Sequence, residues 1–456
     1  MSVAPDLAAL GQRLLDPAAP ALEHVPELDR AGIRVFAAAR HEVVSAVLCE
    51  ETLFSLRHYD ELLEQVLPGT RYLVGENDAN RRLRLRQLHA AQNWLDARRV
   101  AESSDLPPNL APGFRNWVAG IAREEAASLI DRLAARSGAG ESVNFVREYA
   151  FLLSYRVARR IIGVAAPAAM PLPARIMLLA RNLMRPRPWI RPRDELGASL
   201  RTLLAQQPLF GHVFGTVTVS TGILPWLSRT CARPALDAID EAWELPGTAP
   251  EDSLLRALVA VRKDFDEPDD LYREQARNVL FELTGALVLI VGKALSEIAG
   301  FASSNDGRNA GIDWSSLVER LAGHEADPAT RDATINEMLR LVDTSRLVRT
   351  VRQDTTWRGI SLAAGDRLLL LVGAASHDPA AFAEPMRFAP DPLRPYLTSG
   401  ALQGPHACYG RGIAWTVLAE AIAATAGRMA PAAGAKPASF AGLPDDLAFT
   451  ITRRQP

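Results

Sequence analysis

Lysine is almost missing from this chain. Lys263, Lys293 and Lys436 are the only three among 51 basic residues, and arginine supplies the rest. That bias runs through every segment and reads as genomic rather than functional. Cysteine is equally scarce: Cys49, Cys231 and Cys408 are odd in number and far apart, which excludes a framework of bridges and favours a reducing compartment. The segment from Met1 to Arg30 has neither the basic start nor the unbroken apolar stretch of a secretory signal, since Asp6, Asp16, Glu23, Glu27 and Asp29 interrupt it. No long apolar run is present either. Leu283 to Val291 is about half of what a bilayer requires, so no membrane span and a cytoplasmic location are expected. Net charge is only −2, so no global basic field draws the chain to nucleic acid.

What remains is 48% hydrophobic and 23% charged, the balance of a soluble globular protein with ample core material. Helical periodicity dominates. Trp117–Ala135, Val143–Ile162, Leu271–Ala299 and Thr330–Arg340 each repeat apolar residues at spacings of three and four. Strand signals are few and late: Thr356–Leu362, the apolar run Leu368–Val372 after the Ala364-Gly365 turn, and a short pair around Leu447–Thr452. Proline clusters at Pro107–Pro112, Pro167–Pro173, Pro186–Pro192 and Pro385–Pro395 read as loops between helices rather than linkers. The expectation is a mainly α protein, one helical domain over residues 1–456 with small β-sheets.

The chemically informative stretch is Gly404-Pro405-His406-Ala407-Cys408-Tyr409-Gly410-Arg411-Gly412-Ile413-Ala414, which opens a helix running to about Ala426. A cysteine just before a helix meets free N–H groups and the positive end of the dipole, and both favour thiolate. Such a thiolate serves as nucleophile or as metal ligand. Gly410, Gly412 and Ala414 leave the first turn almost bare, so a large flat object can pack there, which suits an axial ligand to a haem better than a nucleophile. Against this stands the plain alternative that a buried cysteine is a small core residue.

Two further features weigh in. Glu337-Met338-Leu339-Arg340 sets a carboxylate and a guanidinium on one helix face, which alone reads as a surface ion pair worth under about 1 kcal/mol. Pro385-Met386-Arg387-Phe388 follows His377-Asp378-Pro379 and precedes the cysteine by about twenty residues. Together, Glu-x-x-Arg, Pro-x-Arg-Phe and Gly-x-His-x-Cys-x-Gly in this order resemble the cytochrome P-450 superfamily, bacterial type. The resemblance extends over most of the chain, with Val143–Val164 similar to the family's E helix and Leu271–Ala299 to its long central I helix.

The resemblance implies that Cys408 is the proximal thiolate ligand of a haem b iron. It implies that Glu337, Arg340 and Arg387 form a buried Glu–Arg–Arg network holding the proximal loop. Matching positions for the haem propionates are His406, Arg349 and Arg84, while Asn80 stands where many bacterial members carry a histidine. For Arg84 the competing reading is a solvated arginine stripe from Arg81 to Arg86.

Two departures from the family follow. Its central helix usually carries an acid and a threonine after a small residue and glycine, and the corresponding stretch here is Thr284-Gly285-Ala286-Leu287-Val288. Gly285 then keeps room for a distal ligand, but Leu287 and Val288 cannot pass protons to dioxygen. On this register the catalytic positions Gly285, Ala286, Leu287 and Val288 favour peroxide or hydroperoxide chemistry, a peroxygenase or a hydroperoxide rearrangement. A conventional monooxygenase fed by ferredoxin and its reductase is the alternative, and an inactive auxiliary protein a second. If the register slips, Glu282 is the only acid nearby, about a turn early. Second, the Phe-Gly that usually precedes the cysteine loop is Ala401-Leu402 here, which predicts a shifted reduction potential.

The resemblance also implies a lipophilic small-molecule substrate. Arg185-Pro186-Arg187-Pro188-Trp189-Ile190-Arg191-Pro192-Arg193 falls where the family lids its substrate channel, and reads as a receptor for an acidic substrate, a contact to an anionic surface, or a solvated loop. Leu209–Leu224, with Phe210 and Phe214, is a candidate pocket lining or plain helix core.

Overall fold

The structure is a computed structural model, and it describes residues 6–71, 73, 75–76, 78–97, 112–136, 142–184, 194–217, 222–323, 327–394, 396–397, 406–440 and 443–452. The Arg185–Arg193 run and the Ala401-Leu402 position lie outside the described residues. Helices dominate and small sheets flank them, as the periodicity implies.

The molecule is organised around one helical run, Asp269–Ala302. It consists of the α-helix Asp269–Gly285, a π-helical stretch Ala286–Val291 and the α-helix Gly292–Ala302. Most of it is buried, so its apolar composition is that of a core helix. Two of its glycines are sites of close approach. A Cβ on Gly292 would lie 2.4 Å from Phe151 Cδ1, and one on Gly285 would lie 2.6 Å from Phe210 Cε2. Phe151 ends a second π-helical stretch, Phe145–Phe151, which packs against the first. The segment expected to be helical from Val143 therefore starts differently: Ser142–Asn144 is a strand, and the α-helix begins at Leu152.

The largest sheet has five strands in the order Glu23–His24, Val35–Ala38, Arg367–Leu370, Leu347–Val351 and Phe54–Ser55. Arg367–Leu370 is buried throughout and pairs parallel with Val35–Ala38 and antiparallel with Leu347–Val351, which explains its unbroken apolar run. Thr355–Trp357 and Ile360–Leu362 form a hairpin rather than one strand. Its two-residue turn, Arg358-Gly359, has φ of 48° and 79°, the left-handed geometry such a turn needs. Ala448–Ile451 lies between Ser142–Asn144 and Met429–Pro431. There Phe449 stacks on Phe145 at 4.3 Å and meets Trp314 edge-on.

Two helices frame the cysteine region. Pro328–Val342 starts at Asp327, whose carboxylate accepts from Thr330 N at 3.0 Å, with Pro328 in the first turn where its missing N–H costs nothing. Arg411–Ala423 starts after Gly410 without a side-chain cap, and the Arg411 N–H turns back to Cys408 O at 3.3 Å.

Candidate haem-thiolate site

Cys408 lies in front of that uncapped helix. Cys408 is solvent-exposed, although enough of the chain packs around it to penalise its charged form. Burial pushes its thiol above the ordinary range and the charge of Glu282 adds to that, while the backbone N–H groups of Gly410 and Arg411 oppose both. A Cβ on Gly410 would sit 3.8 Å from Sγ, in ordinary van der Waals contact. Among the described residues no three His, Cys, Asp or Glu side chains gather into a metal-binding group. An iron held here by one sulfur therefore has to bring its remaining ligands with it, as a porphyrin does.

Glu282, on the central helix, is the acid whose charge reaches the Cys408 sulfur. Its Oε2 accepts from Leu73 N at 2.6 Å, and its charge also acts on Arg81 and Arg84. Glu282 and Ala286 are half-buried and one turn apart on the same helix face. In the register expected from sequence Glu282 stands about a turn before the catalytic positions Gly285, Ala286, Leu287 and Val288. Leu287 and Val288 are 4% and 0% exposed, packed in the core rather than open to a hollow. Gly285 faces Phe210 and Gln206 of the helix Glu195–Gly215, so its role is helix contact rather than room for a ligand. The Thr284 hydroxyl donates to Leu280 O at 2.7 Å, one turn back.

Beside the cysteine, positive charge converges. His406 is held well below its usual value, to about 3, by burial first and then by Arg81, Arg349 and Arg352. One ring nitrogen, Nε2, contacts Glu51, and the other, Nδ1, is buried without a hydrogen-bond partner among the described residues. Arg349, on the strand Leu347–Val351, is 4% exposed and directs Nη1 to Val348 O at 3.0 Å, with Tyr59 alongside. Arg81 donates Nε to Leu73 O at 2.8 Å. A buried cluster of guanidiniums around an orphaned imidazole nitrogen suits carboxylates such as haem propionates. His406 and Arg349 thus lie together. Arg84, fully buried, instead donates Nη1 to Gln275 of the central helix at 2.6 Å, and Asn80 is half-buried in the first turn of Ala79–Ala97. Arg81 was hidden in the arginine stripe. The usable signal was that Arg81, Arg84 and Gln87 recur at intervals of three, which is the buried face of that helix.

Glu337 and Arg340 are buried to 0% and 1% exposure and paired bidentately, Nε to Oε2 at 2.9 Å and Nη2 to Oε1 at 2.8 Å. The remaining N–H groups of Arg340 reach Ser376 O, Pro385 O and Arg387 O. The third member of the network needs correcting. The Arg387 side chain is exposed and pairs with Glu384, contributing only its carbonyl. The guanidinium that reaches Glu337, at 3.4 Å, is Arg394, and Arg340 and Arg394 both lie over the Phe382 ring.

An open cleft of about 600 Å³ lies elsewhere, between Ala302–Asn305 and Pro431–Pro437, and shares no residue with this site.

The cytochrome P450 family model matches residues 331–422, the segment that runs from the Glu337–Arg340 helix through Cys408 and its helix. A 6-deoxyerythronolide B hydroxylase from Saccharopolyspora erythraea is 31% identical over 189 residues, which is 40% of this chain and 42% of that protein, so the match spans less than half of the relative. Over nearly the full chain the fold is that of P450BioI, solved with a hexadec-9Z-enoic acid-ligated acyl carrier protein, at TM-score 0.66 and 16% identity, covering 98% of this chain and 99% of the other. The Bacillus subtilis bacillaene synthase cytochrome P450 PksS gives 0.66 and 15% over 98% and 97%, and the open EryK of S. erythraea gives 0.65 and 19% over 99% and 98%. The motif segment and the whole-chain fold thus point the same way: residues 331–422 match the cytochrome P450 family model, and nearly the whole chain has the fold of cytochrome P450 structures.

Proposed function

We propose that the protein is a haem-thiolate monooxygenase acting on a lipophilic small molecule. Cys408 is the iron ligand of a haem b, and electrons come from a ferredoxin and its reductase in the cytoplasm. One observation carries this reading: an accessible sulfur stands within reach of the charge of Glu282, the acid of the central helix. When bound, the haem supplies activation of dioxygen or peroxide at its iron.

The chain supplies the rest. Cys408 donates its thiolate, steadied by the N–H groups of Gly410 and Arg411. His406 and Arg349, with Arg81 in place of the expected Arg84, bind the propionate edge. Glu337, Arg340 and Arg394 tie the segment before the cysteine loop to the helix Pro328–Val342. Glu282, anchored by Leu73 N–H, holds and passes a proton at its carboxylate. Phe210 and the apolar wall of the central helix keep bulk water away. The relative named a hydroxylase supports this choice of reaction, and the acyl-carrier complex of a fold neighbour supports a lipophilic substrate.

Hydroperoxide chemistry remains the second reading, because the alcohol that should accompany the acid is missing. Leu283 follows Glu282, and the Thr284 hydroxyl is committed to Leu280 O. An auxiliary role without catalysis has no use for an accessible thiolate. The test sets fatty acids with a ferredoxin–reductase pair beside their hydroperoxides without reductant. Turnover in the reductase arm, reduced about a hundredfold in Glu282→Gln, is expected. Turnover confined to the hydroperoxide arm replaces the first reading by the second. A Cys408→Ser protein that keeps the wild-type reduced CO spectrum overturns both.

A further inference from the structure

The cleft of about 600 Å³ between Ala302–Asn305 and Pro431–Pro437 has the size of a small-molecule site and shares no residue with the haem-thiolate site. Its walls follow from the local sequence. On one side the central helix ends at Ala302, and Asp313 starts the helix Trp314–Ala322 by accepting from Ser316 N at 2.8 Å. On the other, the chain leaves the strand Met429–Pro431 and turns through Ala432–Ala435. There Ala435 N donates to Ala432 O at 3.0 Å, and Gly434 has the positive φ, 69°, that such a turn asks of a glycine. The segment after the turn rests on the central helix, since a Cβ on Gly300 would lie 3.3 Å from Pro437 Cβ. It also sets Lys436, one of only three lysines in the chain, on the lining.

The polar groups of this lining divide into acceptors that are occupied and donors that are not. The Asp313 carboxylate accepts from both the backbone N and the hydroxyl of Ser316, which holds its pKa below the ordinary value, with the charge of Arg308 assisting. Asn305 Oδ1 accepts from Arg308. Among the described residues, however, no carboxylate lies within ion-pair distance of Arg308, and Lys436 has neither a hydrogen bond nor an ion pair. Trp314 carries the more telling donor. It is 4% exposed and meets Phe145 and Phe449 at near right angles, and its buried Nε1–H has no hydrogen-bond partner among the described residues. A buried N–H left unpaired is costly, so an acceptor that reaches it is favoured.

We propose that this cleft is a second small-molecule site, which takes a carboxylate carried on an apolar body. The Trp314 indole N–H and the Arg308 and Lys436 cations receive the carboxylate, and the alanine and proline side chains of Pro431–Pro437 lie along the body. An amine would meet two like charges, and a plain hydrocarbon would leave the indole N–H unpaired. Since the wall at Ala302–Asn305 closes the helix that carries Glu282, a ligand here bears on the far end of that helix without touching the haem-thiolate site. The site stands on its own lining, independent of the assigned reaction.

The test is titration of the haem-loaded protein, labelled with nitrogen-15 tryptophan, by 2-naphthoate. The readout is the Trp314 indole N–H resonance, assigned by its absence in Trp314→Phe. A saturable downfield movement with a dissociation constant of about 0.5 mM is expected for a ligand of this size. Arg308→Gln and Lys436→Gln should each weaken it about fivefold, and the uncharged 2-naphthamide should bind about tenfold more weakly than the acid. Both basic side chains are exposed, so these variants should keep the wild-type haem spectrum, which reports folding separately. A resonance unmoved at about 5 mM 2-naphthoate overturns the proposal, as does undiminished binding in the two glutamine variants. Equal binding of the amide overturns the choice of an anion. A haem spectrum that responds while the resonance stays in place puts the ligand at the haem-thiolate site alone and overturns the second site.

Discussion

Replacing Arg340 by Met is expected to be among the most damaging single changes this fold can suffer. All five N–H groups of Arg340 are used: two on Glu337, two on Ser376 O and Pro385 O, and one on Arg387 O. Methionine keeps the bulk and removes every donor. Glu337 is then a fully buried carboxylate left with Ala389 N at 3.0 Å, Arg394 at 3.4 Å and the Tyr396 hydroxyl. Breaking one side of a buried pair costs about 3–5 kcal/mol, and stranded carbonyls cost about 1–3 kcal/mol each, partly relieved if Arg394 swings inward. A net loss of about 4 kcal/mol is therefore expected, a large share of the 5–15 kcal/mol by which typical domains are stable. Urea unfolding followed by far-ultraviolet circular dichroism measures it. Glu337→Leu combined with Arg340→Met should be less damaging than the single change, because no charge remains buried alone. The same assay separates the two candidate third arginines: Arg394→Ala should cost about 1 kcal/mol and Arg387→Ala, 63% exposed, nothing measurable. A loss below about 1 kcal/mol for Arg340→Met would refute the reasoning.

Other expectations follow from the same geometry. His58 is fully buried, its Nε2–H donating to Thr216 O at 2.7 Å, and burial, then Arg367 and His212, lower its pKa to about 4. The unfolded chain takes up that proton first, so the stabilisation is complete above about pH 6.5 and is lost as pH falls towards 4, by about 3 kcal/mol in all. Urea midpoints measured across that window should flatten in His58→Gln, and an unchanged slope would contradict the assignment. Cys231 is buried and its thiol is pushed up to about 11, whereas Cys49 is exposed. Alkylation of the native protein at pH 8, read by peptide mass spectrometry, should label Cys49 and spare Cys231. Gly292→Ala drives a methyl to 2.4 Å from Phe151 Cδ1 and should cost about 2 kcal/mol in thermal or urea unfolding.

Local patterns made much of this molecule legible. The apolar run at Leu368 marks the buried strand, the period of three and four marks the long helices, and Glu337, Arg340 and Cys408 all fall in the segment that the cytochrome P450 family model matches. What stayed hidden depends on which way a residue points after the chain has packed. Arg387 and Arg394 both stand in a proline-rich stretch, and nothing local separates them. The turn in which Arg387 N bonds to Glu384 O sends the first outward, and Phe382 draws the second in.

The register of the central helix is the more instructive case. Counting along an ideal helix assumes 3.6 residues per turn, but Ala286–Val291 is π-helical, with more residues per turn, so facing positions on its two sides fall out of phase. A motif matched by its small residue and glycine then lands on Gly285 and hands the catalytic positions to Leu287 and Val288, both sealed in the core. Counted from the regular helix before the widened turn, the face that includes Gln275 and Ala286 contains Glu282. With Glu282 as the acid, as we propose, the departure from the family narrows from a missing acid–alcohol pair to a missing alcohol. That leaves proton delivery resting on one carboxylate. For this reason the Glu282→Gln variant, rather than any change at Leu287 or Val288, separates the two reaction classes.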